Sequence, residues 1–248
     1  MFVFFIGHGS PNPSSSAEFL YVVDLFRRSH LSIDVGFWLL EFGRLPLPFS
    51  TISQARVTLI VPLILFPSEH VKHDIALVSN YLQSLNKRNL FIVLSIPCSS
   101  MVSASVVSAI LRRLTSITPN FRSSVLLMVG RGSDAATNAA VHFTTRMVWE
   151  GAGFFSAWTT FSGSSFPLCG FISRYQMSPL VTIPLLLFPG DLSQRISNYC
   201  SSNVIASPLA SYRVAVATLF SHIRGAFNGF GTASCNLCKH RLLCYQSA

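Results

Sequence analysis

Two histidines and a glutamate in the first half of this 248-residue chain are residue types that bind divalent metal ions. His8 lies in segment 7–10 (Gly-His-Gly-Ser), Glu41 ends an apolar stretch, and His70 follows a second one. Imidazole and carboxylate ligands suit cobalt, nickel, iron and zinc. Two or three protein ligands would leave metal positions open for a substrate. The glycines beside His8 allow a tight turn and the close approach of a flat ligand.

His73 and Asp74 lie close to His70 in the sequence. Residues four apart share a helix face, so Asp74 could hydrogen-bond to His70 and support it as a metal ligand. An ordinary solvated helix N-terminus, where an aspartate is favourable, explains the same residues equally well.

The chain contains an internal duplication, because two segments recur in the same order about 122 residues later. The matching segments are 5–10 with 128–133, and 61–67 with 183–189. In the second copy Arg131 takes the place of His8, and Leu192 takes the place of His70. The duplication therefore predicts a metal site in the first copy alone.

Apolar strand-like runs alternate with helical patterns, which predicts βαβ units and an α/β fold. Each lobe is expected to be a parallel sheet flanked by helices. Strands are predicted at 2–6, 35–42, 57–66, 90–95, 125–129, 155–161, 180–188 and 204–207. Helices are predicted at 17–29, with Ser16 as N-cap, and at 49–55, 71–85, 102–114, 138–149 and 212–227.

The predicted domains are an N-terminal lobe at 1–117 with the metal site, a C-terminal lobe at 123–227 without the histidines, and a tail at 228–248. Ligands of open parallel sheets bind at the carboxyl ends of the strands. His8, Glu41 and His70 each lie at or just after such an end, so they are expected to converge.

Composition favours a protein of the cytoplasm over a membrane protein. Mean hydropathy is +0.49, but the longest apolar runs, 59–67 and 181–189, are about half the roughly 20 residues that span a bilayer. Segment 1–6 is too short for the apolar core of a signal peptide. The apolar runs at 59–67 and 181–189 are instead typical of buried parallel strands.

The net charge of +9 suits a polyanionic small molecule. The basic residues are scattered, which argues against nucleic-acid binding, and no membrane partner is expected. No P-loop and no Gly-x-Ser-x-Gly elbow is present. A dinucleotide- or phosphate-binding domain remains an alternative, although it would leave His70 without a role.

Cys235, Cys238 and Cys244 cluster near the end of the chain. Three cysteines in ten residues suggest part of a metal or iron–sulfur site. The fourth ligand could be His240, Cys200, a cysteine of another chain or solvent. A flexible tail with free thiols is the alternative.

Several segments, in their order, resemble sirohydrochlorin cobaltochelatases over nearly the whole chain. In the first copy they are 7–10 (Gly-His-Gly-Ser), 17–19 (Ala-Glu-Phe), 40–42 (Leu-Glu-Phe), 62–66 (Pro-Leu-Ile-Leu-Phe) and 70–75 (His-Val-Lys-His-Asp-Ile). The second copy adds 130–133, 161–163 and 187–190, and the tail adds the Cys-x-x-Cys of long family members.

The resemblance implies a class II, ATP-independent chelatase with two lobes facing across a cleft. It implies insertion of Co²⁺ into sirohydrochlorin on the anaerobic branch of cobalamin biosynthesis. His8 and His70 would be the catalytic metal ligands, with Glu41 as the accompanying carboxylate. The tail cysteines would hold an iron–sulfur centre.

Substrate contacts are expected from the glycine-containing turn and from basic residues that pair with the carboxylates of the macrocycle. These residues are Gly9, Ser10, Lys72, Arg131 and Arg195. A monomer or weak homodimer is expected. The alternatives are a ferrochelatase or nickel chelatase acting on the same ring, and a non-catalytic protein that delivers metal or binds tetrapyrroles.

Overall fold

The structure is a computed structural model. It describes residues 2–42, 58–65, 73–75, 77, 78, 80, 90–92, 104–115, 120–132, 135–161, 179–199 and 204–227. The chain forms two compact units. Unit 1 comprises Met1–Pro97 with Ala217–Ala248, and unit 2 comprises Cys98–Val216.

Each unit is built on a parallel sheet, of which the described residues form four strands. The order is β2-β1-β3-β4 in unit 1 and β6-β5-β7-β8 in unit 2. The strands of unit 1 are β1 (Phe2–Gly7), β2 (Asp34–Leu39), β3 (Thr58–Leu63) and β4 (Leu90–Ile92). Those of unit 2 are β5 (Val125–Gly130), β6 (Ser156–Phe161), β7 (Leu180–Pro184) and β8 (Val204–Ile205).

Helices complete the α/β architecture. They are α1 (Pro13–Ser29), α2 (Ala104–Thr115), α3 (Ala135–Ala152), α4 (Asp191–Tyr199) and α5 (Arg213–Phe227). Short 3₁₀ turns lie at Leu40–Phe42, Phe121–Ser123 and Leu209–Ser211. Among the residues that are described, no helix is long and apolar enough to cross a membrane.

The central strands are buried along their whole length, as expected for parallel strands covered on both faces. In unit 1, the ring of Phe26 on α1 packs edge-to-face on Phe5 of β1 and on Phe220 of α5, with centroids 5.2 Å apart in both pairs. In unit 2, Leu192 of α4 packs against a buried cluster. That cluster consists of Val125, Leu127, Val129, Leu180 and Ile196.

The predicted α/β fold with two parallel-sheet lobes is confirmed. The compact units do not have the same boundaries as the predicted lobes. Helix α2 falls in the predicted N-terminal lobe but belongs to unit 2, and α5 falls in the predicted C-terminal lobe but belongs mostly to unit 1. The repeat boundaries 1–117 and 123–227 stay a prediction. The predicted helix at 49–55 and the tail at 228–248 lie outside the described residues.

The structure corrects several local predictions and adds one helix. Helix α1 begins at Pro13, and its N-cap is Asn12, whose Oδ1 accepts a hydrogen bond from the Ser14 N–H at 3.0 Å; Ser16 lies inside the helix. Strand β2 ends at Leu39, because the chain turns into a 3₁₀ helix there. Helix α4 was not predicted, because its short sequence carries only two apolar side chains that pack inward, Leu192 and Ile196.

Candidate metal site

His8 and Glu41 leave adjacent strands at the same edge of the unit 1 sheet. Gly7, the last residue of β1, is in register with Leu39 at the end of β2. One step beyond, the Glu41 N–H donates a hydrogen bond to the His8 carbonyl at 2.9 Å. Backbone pairing thus continues past the sheet and fixes the two residues beside each other, at the carboxyl edge where ligands of such sheets bind.

The side chains of the two residues also meet. His8 Nδ1 lies 3.2 Å from Glu41 Oε1 and 2.9 Å from the carbonyl oxygen of Gly9. A carbonyl oxygen and an ionised carboxylate can only accept hydrogen bonds, so Nδ1 carries the hydrogen. In the neutral ring the lone pair is therefore on Nε2, the nitrogen that can bind a metal ion.

The His8 side chain is more buried than that of its carboxylate partner Glu41. The His8 side chain is 19% exposed and that of Glu41 is 39% exposed. A metal-binding histidine commonly donates its second ring N–H to a carboxylate or carbonyl, which fixes its orientation and raises its basicity. His8 has both kinds of acceptor at Nδ1.

Glycines shape the turn that carries His8. A Cβ atom on Gly7 would lie 2.7 Å from the ring of Phe19 and 2.8 Å from Leu39 Cδ2, so a larger residue there would force these side chains to shift. Gly9 has a φ of 85°, a left-handed conformation that residues other than glycine adopt only at a cost in free energy. Both glycines are needed to place the His8 backbone and the Gly9 carbonyl.

Ser10 has a structural role in the same turn. Its Oγ accepts a hydrogen bond from the Asn12 N–H at 3.1 Å, and Asn12 then caps helix α1. Ser10 and Gly9 are both partly exposed beside His8. Their predicted contact with a substrate stays a prediction.

The structure brings His8 and Glu41 together. His70, Lys72 and the tail cysteines Cys235, Cys238 and Cys244 lie outside the described residues. Within the described part of the chain, no group of three or more histidine, cysteine, aspartate or glutamate side chains is placed to hold a metal ion. The convergence of His70 with His8, and an iron–sulfur centre on the tail, stay predictions.

The remaining predicted residues are at the surface. The exposed His73 and Asp74 form a loose pair, with Nδ1 and Oδ1 separated by 3.7 Å. Support of His70 by Asp74 stays a prediction, because His70 is not described. Arg131 follows the end of β5 and Arg195 lies on α4; both are exposed residues of unit 2.

Two features of unit 1 were missed by sequence reasoning. The first is the contact between His8 Nδ1 and the Gly9 carbonyl. It depends on the φ torsion of Gly9, and the only sign of that torsion in the sequence is the glycine itself. Glu18 on α1 has a buried Oε2 with no hydrogen-bond partner among the described residues, and burial raises the pKa of its carboxyl. No sequence pattern separates Glu18 from an exposed helix glutamate.

Residues 2–112 match the model of the CbiX family, so the matched segment includes β1 to β4 and all of His8, Glu41 and His70. None of the curated proteins matches the chain significantly.

Solved structures share the fold over both units. The sirohydrochlorin chelatase SirB from Bacillus subtilis subspecies spizizenii, in complex with cobalt, is 18% identical, with 93% of this chain and 98% of that chain covered and a TM-score of 0.72. SirB from Bacillus subtilis with Fe³⁺ has the same identity and coverage and a TM-score of 0.77. CbiX, described as the terminal enzyme of sirohaem biosynthesis in denitrifying bacteria, is 14% identical, with 91% and 99% covered and a TM-score of 0.66.

Proposed function

We propose, from the match of residues 2–112 to the CbiX family model, that this protein is a metal chelatase that inserts a divalent ion into sirohydrochlorin without ATP. The single observation that carries the proposal is the geometry at His8. Its Nδ1 is held by the Glu41 carboxylate and the Gly9 carbonyl, which directs the Nε2 lone pair to a metal ion.

Metal capture is the first step of the proposed reaction. Neutral His8 and His70 bind the incoming ion, with His70 reaching the site from the segment after β3. Two protein ligands leave coordination positions open, so the ion can bind the ring nitrogens before it leaves the histidines. The protein contributes by positioning the two reactants and by removing water from the metal.

Proton release accompanies metal transfer. The divalent ion replaces two pyrrole N–H protons, so the metallated ring forms and two protons leave. Glu41 is the proposed acceptor for one of them, either directly or through the His8 ring once the metal has left, and the other is released to solvent. Its partial exposure would let that proton pass on to solvent.

Substrate binding is assigned to the turn and to basic side chains. Gly9 and Ser10 would contact the macrocycle, while Lys72, Arg131 and Arg195 would pair with its carboxylates. The net charge of +9 would also attract such a polyanion from a distance.

Cobalt is the proposed physiological metal, which would place the protein in cobalamin biosynthesis. Iron is the second candidate, because SirB structures contain cobalt or Fe³⁺ and CbiX is described as an enzyme of sirohaem biosynthesis. Histidine ligands do not discriminate among cobalt, iron and nickel.

The test is anaerobic incubation of the purified full chain with sirohydrochlorin and Co²⁺, Fe²⁺ or Ni²⁺ in separate reactions, followed by absorbance spectra. We expect many turnovers per protein with at least one metal, with cobalt the fastest. His8→Ala should reduce the rate at limiting metal by about a hundredfold or more, whereas His142→Ala, an exposed histidine of unit 2, should retain it.

Other outcomes separate the alternatives. One-to-one retention of metal or ring without turnover would show a delivery or binding protein and contradict the chelatase proposal. Faster turnover with iron would replace cobalt by iron in the assignment and leave the chemistry at His8 unchanged.

A further inference from the structure

Strand β6 lies at one edge of the unit 2 sheet. Among the residues that the structure describes, it pairs with β5 alone, in a register that runs from Val125 with Ser156 to Gly130 with Phe161. The backbone N–H and C=O groups on the other side of β6 are therefore placed to bind a further strand.

The sequence of this edge lacks the features that usually prevent strands of different molecules from pairing. Segment 155–161 (Phe-Ser-Ala-Trp-Thr-Thr-Phe) has no charged residue, no proline and no glycine, and most of its residues favour strands. The corresponding edge strand of unit 1 differs, because β2 begins with the exposed Asp34. In addition, Arg27 Nη2 donates a hydrogen bond to the Val35 carbonyl of β2 at 3.3 Å.

Large aromatic side chains lie exposed along the β6 edge. Phe155, directly before the strand, is 71% exposed, and Trp158 within it is 46% exposed. Trp149 of α3 is 39% exposed and lies beside the start of β6, since its Nε1 donates to the Phe154 carbonyl at 2.8 Å. These three side chains expose roughly 300 Å² in total, a large share of the roughly 800 Å² that one partner buries in a standard interface.

The residues of the edge are arranged symmetrically about Trp158. Phe155 and Phe161 lie three residues before and after it, and Ser156 and Thr160 lie two residues before and after it. If two β6 strands paired antiparallel about Trp158, each Phe155 would lie opposite Phe161 of the partner subunit. Each Ser156 would lie opposite Thr160 of the partner subunit. Aromatic pairs and serine–threonine pairs are both favourable cross-strand neighbours.

Contacts would form on both faces of the joined sheet. Thr159 Oγ1 donates to Thr145 Oγ1 of α3 at 2.8 Å, so α3 covers the face that carries Thr159. Successive side chains of a strand point to opposite faces, which places Trp158 on the other face. The two tryptophans would meet there, while Phe155 and Phe161 would meet on the face of α3.

We propose that β6 is a homodimerisation edge, at which two copies of this chain pair antiparallel about Trp158 and join their unit 2 sheets. A second copy fits this edge because a two-fold axis brings the same surface from both sides, as the symmetric pattern requires. Two copies with a net charge of +9 repel each other, and an uncharged strand is a place where that repulsion is small. Of the monomer and the weak homodimer expected from the sequence, the edge favours the homodimer.

The test is sedimentation velocity of the full-length protein over a range of concentrations. We expect a reversible monomer–dimer equilibrium with a Kd of about 10 µM or above, as suits a small interface. Trp158→Lys should weaken dimerisation about tenfold or more, because it removes an aromatic contact and places two like charges opposite each other. Phe143→Lys is the matched control, since Phe143 is more exposed than Trp158 but lies on α3, and it should dimerise as the wild type does.

Hydrogen exchange locates the contact. The backbone amides of 155–161 should exchange more slowly at high than at low protein concentration, whereas those of β2 should not change. Circular dichroism checks that each variant folds, and Phe155→Lys, which should also weaken dimerisation, takes the place of Trp158→Lys if that variant does not fold. A monomer at every concentration, equal weakening in Trp158→Lys and Phe143→Lys, or protection only outside 155–161 would overturn the proposal.

Discussion

Glu41 contacts His8 twice, with its backbone N–H on the His8 carbonyl and with its carboxylate on the His8 imidazole. The Glu41 N–H donates to the His8 carbonyl at 2.9 Å, and its Oε1 lies 3.2 Å from His8 Nδ1. The backbone bond sets where the two residues are, and the side-chain contact sets which ring nitrogen carries the hydrogen. The role of Glu41 in the proposed reaction therefore includes preparing His8 before any metal arrives.

The first prediction concerns that preparation. Glu41→Ala should weaken cobalt binding about ten- to a hundredfold, because removing the carboxylate partner of a metal-binding histidine has effects of that size. Glu41→Gln keeps an acceptor for Nδ1–H but loses the charge, so we expect an intermediate loss. Cobalt titration by calorimetry measures both, and Glu150→Gln, which removes a surface carboxylate of unit 2, is the control.

A nitrogen NMR experiment on ¹⁵N-histidine-labelled protein separates orientation from general damage. The wild-type His8 ring should show a protonated Nδ1, with Nε2 shifting when a diamagnetic ion such as Zn²⁺ is added. In Glu41→Ala the Nδ1–H form should fall in population. An unchanged tautomer together with unchanged cobalt affinity would contradict the assigned role.

The second prediction uses the duplicated turns as matched controls. An alanine at Gly9 or Gly132 would adopt a left-handed conformation, at a cost of about 1–2 kcal/mol in each case. Gly9→Ala should also weaken cobalt binding, because the Gly9 carbonyl is a partner of His8 Nδ1. Gly132→Ala should leave cobalt binding within about twofold of wild type. Similar cobalt affinities for the two variants would show that the turn geometry does not position His8.

The third prediction concerns close packing at the ends of the central strands. Gly7→Ala should lower the free energy of unfolding by about 1–3 kcal/mol, the usual cost of overpacking. Its Cβ would lie 2.7 Å from Phe19 and 2.8 Å from Leu39. Gly130→Ala should cost less, since its nearest contacts, with Phe161 and Val141, are at 3.2 Å. Denaturant unfolding of both variants checks the order, and a larger loss in Gly130→Ala would contradict it.

The sequence could predict which residues face the carboxyl edge because strand ends are marked by apolar runs and glycines. It placed β1 within one residue of its observed end and placed His8 just beyond it. From the sequence, Glu41 and His8 could be expected to lie near each other, but not to form a specific side-chain contact. The distance between Nδ1 and Oε1 depends on a 3₁₀ turn after β2 that the apolar run through residue 42 concealed.

Local capping was harder to predict than topology. The Pro-Asn-Pro-Ser-Ser-Ser segment at 11–16 offers several residues that can cap a helix. Asn12 caps α1 because Pro13 is favourable at the first helical position and the Asn12 side chain reaches the Ser14 N–H. The buried oxygen of Glu18 was likewise beyond the sequence, because burial on a helix flank is decided by tertiary neighbours.

The fourth prediction concerns Glu18 and pH. Burial raises the pKa of its carboxyl in the folded protein, so the folded state binds this proton more tightly than the unfolded chain does. The contribution to stability is full below the unfolded-state pKa and is lost as the pH rises through the folded-state pKa. Glu18→Gln stays neutral, so its melting temperature should match wild type at about pH 4 and exceed it near pH 7. Asp34→Asn, at the exposed start of β2, is the control for a simple change in net charge. A Glu18→Gln difference that is the same at both pH values would show that the buried carboxyl does not cause it.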